Sequence, residues 1–370
     1  MWEETARHWQ QASGEPGRPA LPDHLVARLR ALREGAGQEP GTVASLRPIH
    51  RVIPPDGDHG PLPDDYVAEH YTLTLFGLHQ HVAAQAVHQP GAGLGTACLH
   101  LRRTNALTHA AAGRRLTAAA TAQDVHELAH HLQRLVPFLK QTGIGLDYTR
   151  LLRDLSHWDG PGRNRVLRAW GLQYTDPADS SEETSGEDRA PYWSTVDLSA
   201  NEVGAQLAAL RSGTGREAGT VAAMWPFHRT RMASEWRDKG ALTRDLVAEH
   251  LALTLFARHQ QTHVRLMHVP GNSPGTAAGQ LAKATAGGGE GKSVTGALER
   301  RFGTLLTSVD TNELGAHLRS LIPQLSKAGI GVDYDLLRAA LRVWDDPRHP
   351  DAAATYRQRW DRDFYTAATS

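Results

Sequence analysis

A zinc-hydrolase motif is the first stretch of the sequence with the residues for catalysis. Residues 126–130 read His-Glu-Leu-Ala-His, and in such an HExxH helix the two histidines bind zinc while the glutamate acts as general base. The corresponding residues 312–316 read Asn-Glu-Leu-Gly-Ala, and no glutamate follows the motif as a third ligand before Glu182. Both copies keep the Asp-x-x-Glu spacing of a helix-capping box, at Asp124 with Glu127 and at Asp310 with Glu313. We therefore interpret the stretch as a helix start, and we expect no metal and no other cofactor.

A glycine-rich stretch at 286–293 has the second candidate chemistry. It reads Ala-Gly-Gly-Gly-Glu-Gly-Lys-Ser, a relaxed form of the loop that binds nucleotide phosphates. A working phosphate loop follows a buried strand and opens a helix, whereas the preceding residues QLAKATA have the composition of a helix. We interpret the stretch as a flexible, cationic loop insertion in the second half of the chain.

Two long stretches lack acidic residues and carry most of the candidate binding residues. Tyr71–Gln123 and Leu251–Gly289 contain no Asp or Glu, and an Arg-Arg pair lies in or soon after each. A surface that contacts phosphates needs such a depletion, because a carboxylate would repel the nucleic-acid backbone. The candidate phosphate-binding residues are Arg51, Arg102, Arg103, Arg114, Arg115, Arg229, Arg258, Lys283, Arg300 and Arg301.

An internal repeat supplies the elements that position these residues, although the second copy has Ala282 where the first has Arg102. GIGLDYTRLLRDLSHWD at 143–159 recurs as GIGVDYDLLRAALRVWD at 329–345, and VAEHYTLTLFGLHQ at 67–80 recurs as VAEHLALTLFARHQ at 247–260. The Gly-x-Gly turn predicts a helix end followed by a helix start. The second pair predicts a mostly buried helix, with an apolar series that we extend to Val82. We expect His79 and His259 near its end to be structural rather than ligands.

Apolar residues at helical spacing predict the core of each copy. Helices are indicated at Leu25–Leu32, at Leu128–Leu139 with Pro137 inside, and at Val166–Tyr174, each with a counterpart in the second copy. We expect Leu151, Leu155 and Trp158, with Leu337, Leu341 and Trp344, to lie in the two cores. The predicted fold class is all-α, two similar helical bundles in tandem joined by an acidic flexible linker.

The domain boundaries follow from a change in composition. Residues 176–192 are acidic and rich in Ser and Pro, which disfavours a packed core. We predict a first helical domain at 1–175, this linker at 176–192, and a second helical domain at 193–370. The chain has 40 Lys or Arg and 40 Asp or Glu, but the linker holds six carboxylates between Asp176 and Asp188, so the remainder is cationic.

The composition also indicates a compartment. Hydrophobic residues make up 40% of the chain, no stretch is apolar enough to cross a membrane, and the first 25 residues lack the apolar core of a signal peptide. The single cysteine, Cys98, excludes an internal disulfide. We expect a cytoplasmic protein with no membrane partner.

Several spaced motifs together resemble one known family. ALTLFARHQ, His268-Val-Pro-Gly, Arg300-Arg301-Phe302, ELGAHLRSLIPQL, GIGVDYDLLRAALRVWDD and RQRWDRDFY are similar to the CasB family, the small subunit of the type I-E CRISPR Cascade complex. The first copy carries LTLFGLHQ, RRL, ELAHHLQRLVPFL, GIGLDY and the weaker RVLRAWGLQY. Members of the family are usually single units, so this chain resembles a tandem fusion of two.

The resemblance implies a non-catalytic role in RNA-guided DNA surveillance. It implies helical bundles that brace the guide RNA–target DNA heteroduplex and help hold the displaced strand while pairing reads the sequence. The implied partners are the backbone and large subunits of Cascade, the guide CRISPR RNA, the target DNA and the displaced non-target strand. By position, the family's basic region corresponds to Arg102, Arg103, Arg114 and Arg115 and to Lys283, Arg300 and Arg301. The alternatives are a helical-repeat protein-interaction scaffold without nucleic-acid contact and, third, a zinc hydrolase at His126 and His130.

Overall fold

Helices form the regular secondary structure in the part of the chain described by the computed structural model, which comprises residues 1–12, 21–53, 60–83, 85–104, 109–175, 190–286 and 291–369. The helices are α1 Trp2–Ala12, α2 Asp23–Glu34, α3 Asp64–Gln80, α4 Leu94–Arg102, α5 His109–Thr121, α6 Val125–Thr142, α7 Tyr148–Ser156, α8 Arg163–Thr175, α9 Tyr192–Thr195, α10 Val203–Arg211, α11 Ser234–Asp238, α12 Arg244–Gln260, α13 Pro274–Ala286, α14 Gly291–Leu306, α15 Thr311–Ala328, α16 Tyr334–Val343 and α17 Pro350–Thr369. Short 3₁₀ helices lie at Ala44–Leu46 and Ala222–Phe227. The predicted all-α class is confirmed.

Extended pairing in these residues is limited to two isolated bridges. His88 pairs with Leu146 in the first copy, and His268 pairs with Val332 at the corresponding place in the second. No helix of the described chain combines the length and apolarity that a membrane span requires.

The chain divides into two compact units. The first comprises Met1–Asp176 together with Met232–Ala241, which carry α11, and the second comprises Pro177–Arg231 and Leu242–Ser370. The predicted linker falls mainly on residues 176–189, which lie outside the described residues. Tyr192, at the end of the predicted linker, begins α9 and is buried.

A long central helix forms the middle of each core. Phe76 of α3 and Phe256 of α12 are fully buried, and both helices are buried along most of their length, as predicted. The prediction that the apolar series extends to Val82 is wrong. The helix ends at Gln80, and Val82 is 80% exposed with a φ of 55°, because the chain turns away from the core at that point.

The repeated Gly-x-Gly–Asp-Tyr stretch is a helix end and a helix start, as predicted. Gly143 ends α6 with a φ of 67° and Gly329 ends α15 with a φ of 66°, in the left-handed region that a Cβ disfavours. Asp147 and Asp333 then cap α7 and α16 by accepting backbone N–H groups. Their second oxygens accept the N–H of Gly91 and of Gly271, which ties the Pro-Gly turns to this junction.

Tryptophan pairs complete the two cores. The rings of Trp158 and Trp170 lie 5.2 Å apart in the first unit, and those of Trp344 and Trp360 lie 5.4 Å apart in the second. The leucines predicted for this helix junction are buried in both units, which confirms that the stretch belongs to the core.

Candidate nucleic-acid interface

Buried glutamates hold the backbone of two candidate arginines. Glu69 accepts hydrogen bonds from the backbone N–H of Arg51 at 3.0 Å and of Val52 at 2.9 Å. Glu249 accepts the corresponding bond from Arg229 at 2.7 Å. Burial acts to raise the pKa of Glu69, but the His50 ring and these N–H groups outweigh it, so that the pKa is below its usual value. A buried carboxylate thus fixes the loop at the position of each arginine.

The two side chains that leave these loops differ. The Arg51 side chain is exposed. The Arg229 guanidinium is half-buried, and its Nη1 donates to the carbonyl oxygens of Pro226 at 2.8 Å and of His228 at 3.1 Å. Arg229 therefore orders its own loop, and less of its hydrogen-bonding capacity faces solvent.

The first arginine pair lies at the C-terminal end of α4. Arg102 is half-buried, with its guanidinium 5.0 Å from the centroid of the Tyr174 ring on α8, whereas Arg103 follows the helix and is exposed. The helix approaches α8 closely because Gly95 has no side chain: a Cβ there would lie 2.1 Å from the carbonyl oxygen of Trp170. Packing therefore orients Arg102 along the protein and Arg103 toward solvent.

The second pair, Arg114 and Arg115, lies inside α5. Arg115 is half-buried, with its guanidinium 4.3 Å from the ring centroid of Phe138 and its Nη1 3.4 Å from the carbonyl oxygen of Arg134, both on α6. Arg114, one position earlier on the helix, is exposed. One arginine of each pair in the first unit is therefore held on an aromatic ring, and the other faces solvent.

The second unit presents its candidates without such stacking. Arg258 on α12, Lys283 on α13, and Arg300 and Arg301 on α14 are all exposed. Their side chains, like those of Arg51, Arg103 and Arg114, form neither an ion pair nor a hydrogen bond with any described residue. Arg300 and Arg301 lie inside α14, which begins at Gly291.

The arrangement favours backbone contacts over recognition of base sequence. In each unit two helices that carry candidate cations pack against each other, α4 on α5 and α13 on α14, which brings those cations onto neighbouring helices. Exposed guanidinium groups that have no carboxylate partner retain their donors for phosphate oxygens. Arg102, Arg115 and Arg229 keep the positive charge but have fewer donors to offer.

The zinc-site interpretation of residues 126–130 finds no support in the geometry. Glu127 Oε2 accepts the backbone N–H of Gln123 at 2.6 Å while Asp124 Oδ1 accepts that of Glu127 at 2.8 Å, and Asp310 with Glu313 repeats both bonds. The predicted capping box is confirmed. His126 Nδ1 lies 2.7 Å from the Tyr71 hydroxyl, and no third ligand joins the two histidines among the described residues.

A different group of His and Asp residues has the spacing of metal ligands. His268, Asp333 and Asp335 place ligand atoms within 4.8 Å of one another. Asp333 already accepts three backbone N–H groups, and Asp335 Oδ1 accepts Trp193 Nε1–H at 3.0 Å. These carboxylates are engaged as a helix cap and as an anchor for α9, which explains their proximity without a cation.

The glycine-rich stretch lacks the strand that a phosphate loop requires. The residues before it form α13, as predicted. Residues 287–290 lie outside the described residues, and the prediction of a loop is wrong at its end, because the backbone of residues 291–293 belongs to α14.

Sequence reasoning missed a charged cavity in the first unit. It has a volume of about 370 Å³ between α7, α8 and α11, and its charged lining residues include Arg150, Arg153, Arg165, Asp154, Glu235 and Asp238. Burial raises the pKa of Asp154 to about 6, and Trp170 Nε1 donates to its Oδ2 at 2.8 Å. The signal available in the sequence was that Asp154 stands on an apolar helix face where the second copy has Ala340.

Comparisons with known proteins agree with the internal repeat. The family described as CRISPR-associated protein Cse2 matches residues 28–174 and again residues 206–365. The crystal structure of CasB from Thermobifida fusca is similar at 27% sequence identity over 44% of this chain and 84% of that chain, with a TM-score of 0.32. No curated protein sequence matches the chain significantly. Because the family match covers most of both halves, the protein belongs to the Cse2 family of CRISPR-associated proteins and contains two copies of the family's unit in tandem.

Proposed function

We propose that the chain is the non-catalytic small subunit of a type I-E CRISPR Cascade surveillance complex, in the cytoplasm, and that one chain supplies both small-subunit positions. The double family match carries this proposal. Two units in one chain have a fixed one-to-one stoichiometry, and the linker makes docking of the second unit intramolecular, which raises its effective concentration. The other Cascade subunits, the guide CRISPR RNA and the target DNA are the proposed partners.

The exposed cations support a backbone-binding role in R-loop formation. Arg103 and Arg114 in the first unit, with Lys283, Arg300 and Arg301 in the second, would contact phosphates of the heteroduplex or of the displaced strand. Such contacts make binding strongly dependent on salt and nearly independent of base sequence, because each one releases condensed counterions. The stacked Arg102 and Arg115 would contribute charge and local rigidity.

Reconstitution of the complex on target DNA tests the proposal. The double variants Arg103→Gln/Arg114→Gln and Arg300→Gln/Arg301→Gln should each shorten R-loop lifetime. Each should also lower the slope of log affinity against log salt by about 1 to 2, since each phosphate contact contributes roughly 0.7 to 0.9.

A matched control removes two exposed cations that already have carboxylate partners. Lys239 Nζ lies 2.6 Å from Glu235, and Arg342 Nε lies 2.7 Å from Asp245. The variant Lys239→Gln/Arg342→Gln should leave the salt slope unchanged. If the complex forms normally but the slope of log affinity against log salt is the same for all variants and the unchanged protein, the result would favour a protein-interaction scaffold. A complex that contains two copies of this chain instead of one would contradict the proposed stoichiometry.

A further inference from the structure

The second unit contains a small pocket that the proposed phosphate contacts do not use. It lies between α14 and α15 and has a volume of about 160 Å³. Its floor includes the buried side chains of Leu298, Phe302 and Leu321, and its rim includes Arg301, His317 and Gln324. The pocket thus combines an apolar base with hydrogen-bonding groups at its mouth.

The corresponding place in the first unit is filled by the protein itself. There Phe138 stands where the second unit has Gln324, and the guanidinium of Arg115, the counterpart of Arg301, lies 4.3 Å from its ring centroid. Arg134 likewise corresponds to Ser320, which also lines the pocket. Loss of the ring and of a long side chain frees Arg301, which is exposed, and leaves the space between the helices open.

The size and lining of the pocket restrict the ligand. Its volume is below the roughly 300–1,000 Å³ of pockets that hold drug-sized molecules, so it suits a single planar ring. His317, Ser320 and Gln324 lie three and four positions apart on α15, which places their donors and acceptors on one helix face. A ring with two apolar faces and a polar edge matches both the floor and the rim.

The charges around the pocket favour an attached anion. The lining contains Arg301 and no acidic residue. The nearby Glu313 is engaged, since its Oε2 accepts the N–H of Val309 and its Oε1 lies 3.8 Å from His317 Nε2. An apolar side chain of a partner protein would cover the imidazole and the amide without giving them hydrogen bonds, which is costly.

We propose that this pocket receives one nucleobase of a single-stranded nucleic acid while Arg300 and Arg301 contact the adjoining phosphates. The inference deepens the proposed function and rests on it, because it assigns the second unit a contact with an unpaired strand. The recognised feature is the flat, polar-edged base, so the pocket would discriminate between a strand with bases and one without.

Binding of the full-length chain to single strands tests the pocket. Fluorescence anisotropy compares a thymidine oligonucleotide with an abasic strand of equal length and charge. The unchanged protein should bind the thymidine strand at least about fivefold more tightly, the lower end of what stacking of one base contributes. Gln324→Phe, which introduces the first unit's residue, should abolish most of this preference and leave affinity for the abasic strand unchanged. Ser320→Arg should also abolish most of the preference, but its added cation should raise affinity for both strands.

The matched control changes the same position in the other unit. Phe138→Gln should retain the preference for the thymidine strand. A strand carrying one 4-thiothymidine should crosslink to α14 or α15 in the unchanged protein and in this variant but not in Gln324→Phe.

A preference for the thymidine strand that survives Gln324→Phe would overturn the pocket proposal alone. The pocket proposal is also overturned if Gln324→Phe weakens assembly with protein subunits but does not change binding to the thymidine strand. The occupant of the pocket is then a protein side chain. If Arg300→Gln/Arg301→Gln leaves affinity for both strands unchanged, the proposed phosphate contacts fail instead.

Discussion

The imidazole Nδ1 of His79 lies 2.9 Å from the phenolic oxygen of Tyr148, and both side chains are fully buried. His259 and Tyr334 repeat this relationship at 2.9 Å in the second unit. Burial lowers the pKa of each of these histidines to about 4. The central helix of each unit is thus joined to the helix after the Gly-x-Gly turn by a neutral imidazole.

Neutral buried histidines make the stability of the protein sensitive to acid. As pH falls below about 6.5, the unfolded chain takes up protons that the folded rings cannot accept until about pH 4, so stability is lost across that window. His70 and His250, with a pKa of about 4 through burial, act in the same direction. We expect denaturant unfolding at pH 5 to show a loss of up to about 2 kcal/mol per ring relative to pH 7.5.

Single substitutions assign this effect to particular rings. His79→Leu and His259→Leu should each lower stability at pH 7.5 and reduce the difference between the two pH values. His130→Gln, at an exposed position, is the control and should leave that difference unchanged. If the difference in unfolding free energy between pH 7.5 and pH 5 is equal in all three variants, the buried rings are already protonated at pH 5 in the folded protein.

Asp154 has the opposite dependence on pH. Because burial raises the pKa of this carboxyl to about 6 in the folded state, its contribution is most favourable below pH 3.8 and is lost as pH rises through 6. Asp154→Asn keeps an acceptor for Trp170 Nε1–H without the charge. We expect it to raise the unfolding free energy by up to about 3 kcal/mol at pH 7.5 and by about half as much at pH 5.

Asp154→Ala, which copies Ala340 of the second unit, is the comparison for this prediction. It also removes the charge, but it leaves the Trp170 N–H without its acceptor, at a cost of about 1–3 kcal/mol. It should therefore gain less than Asp154→Asn at pH 7.5. A gain for Asp154→Asn that is equal at both pH values would show that the carboxyl does not change its protonation between them.

The features predicted correctly from the sequence are those that depend on neighbours along the chain. The capping box at Asp124 and Glu127 needs only two residues at fixed spacing, and the Gly143 turn needs only a residue that tolerates a positive φ. The helical pattern likewise placed Leu151 and Trp158 in the core.

The features that the sequence did not predict depend on contacts between helices. Nothing adjacent to Arg115 shows that its guanidinium lies on Phe138, and nothing near Gln324 shows that a pocket opens in the absence of such a ring. The stacking of Arg102 on Tyr174 joins residues far apart in sequence. The list of cations was thus available from the sequence, but the division into stacked and exposed ones required the packing.

Cys98 provides a reporter for unfolding of the first unit. It is the only cysteine, is fully buried in α4, and burial raises the pKa of its thiol to about 12. Since the thiolate is the reactive form, we expect the native protein to resist alkylation by a maleimide and to react only as denaturant opens the first unit. Fast labelling in the native state would contradict the packing of α4.

The repeat allows the same reporter to be moved to the second unit. Ala278 occupies the corresponding position on α13 and is also fully buried. The variant Cys98→Ala/Ala278→Cys should therefore be protected in the native state and should report unfolding of the second unit. Comparison of the two labelling curves shows whether the units unfold separately or together.

Close packing of two helices predicts a paired effect at two glycines. A Cβ added at Gly95 would lie 2.1 Å from the carbonyl oxygen of Trp170, and one added at Gly275 would lie 2.1 Å from that of Trp360. Both oxygens belong to the backbone and cannot rotate away, so the helices must separate. Gly95→Ala and Gly275→Ala should each lower the unfolding free energy by about 1–3 kcal/mol, measured by denaturant unfolding with the thiol reporter in the matching unit.

Helix propensity makes this prediction stringent. Alanine is favoured over glycine inside a helix by about 1 kcal/mol, so a glycine without close neighbours should show a gain. Gly303 lies within α14 and a Cβ there would meet nothing within 4 Å, which makes Gly303→Ala the control expected to stabilise the second unit. If Gly95→Ala and Gly275→Ala stabilise the protein as Gly303→Ala does, then α4 and α13 do not approach their partner helices closely, and the orientation of Arg102 toward Tyr174 loses its structural basis.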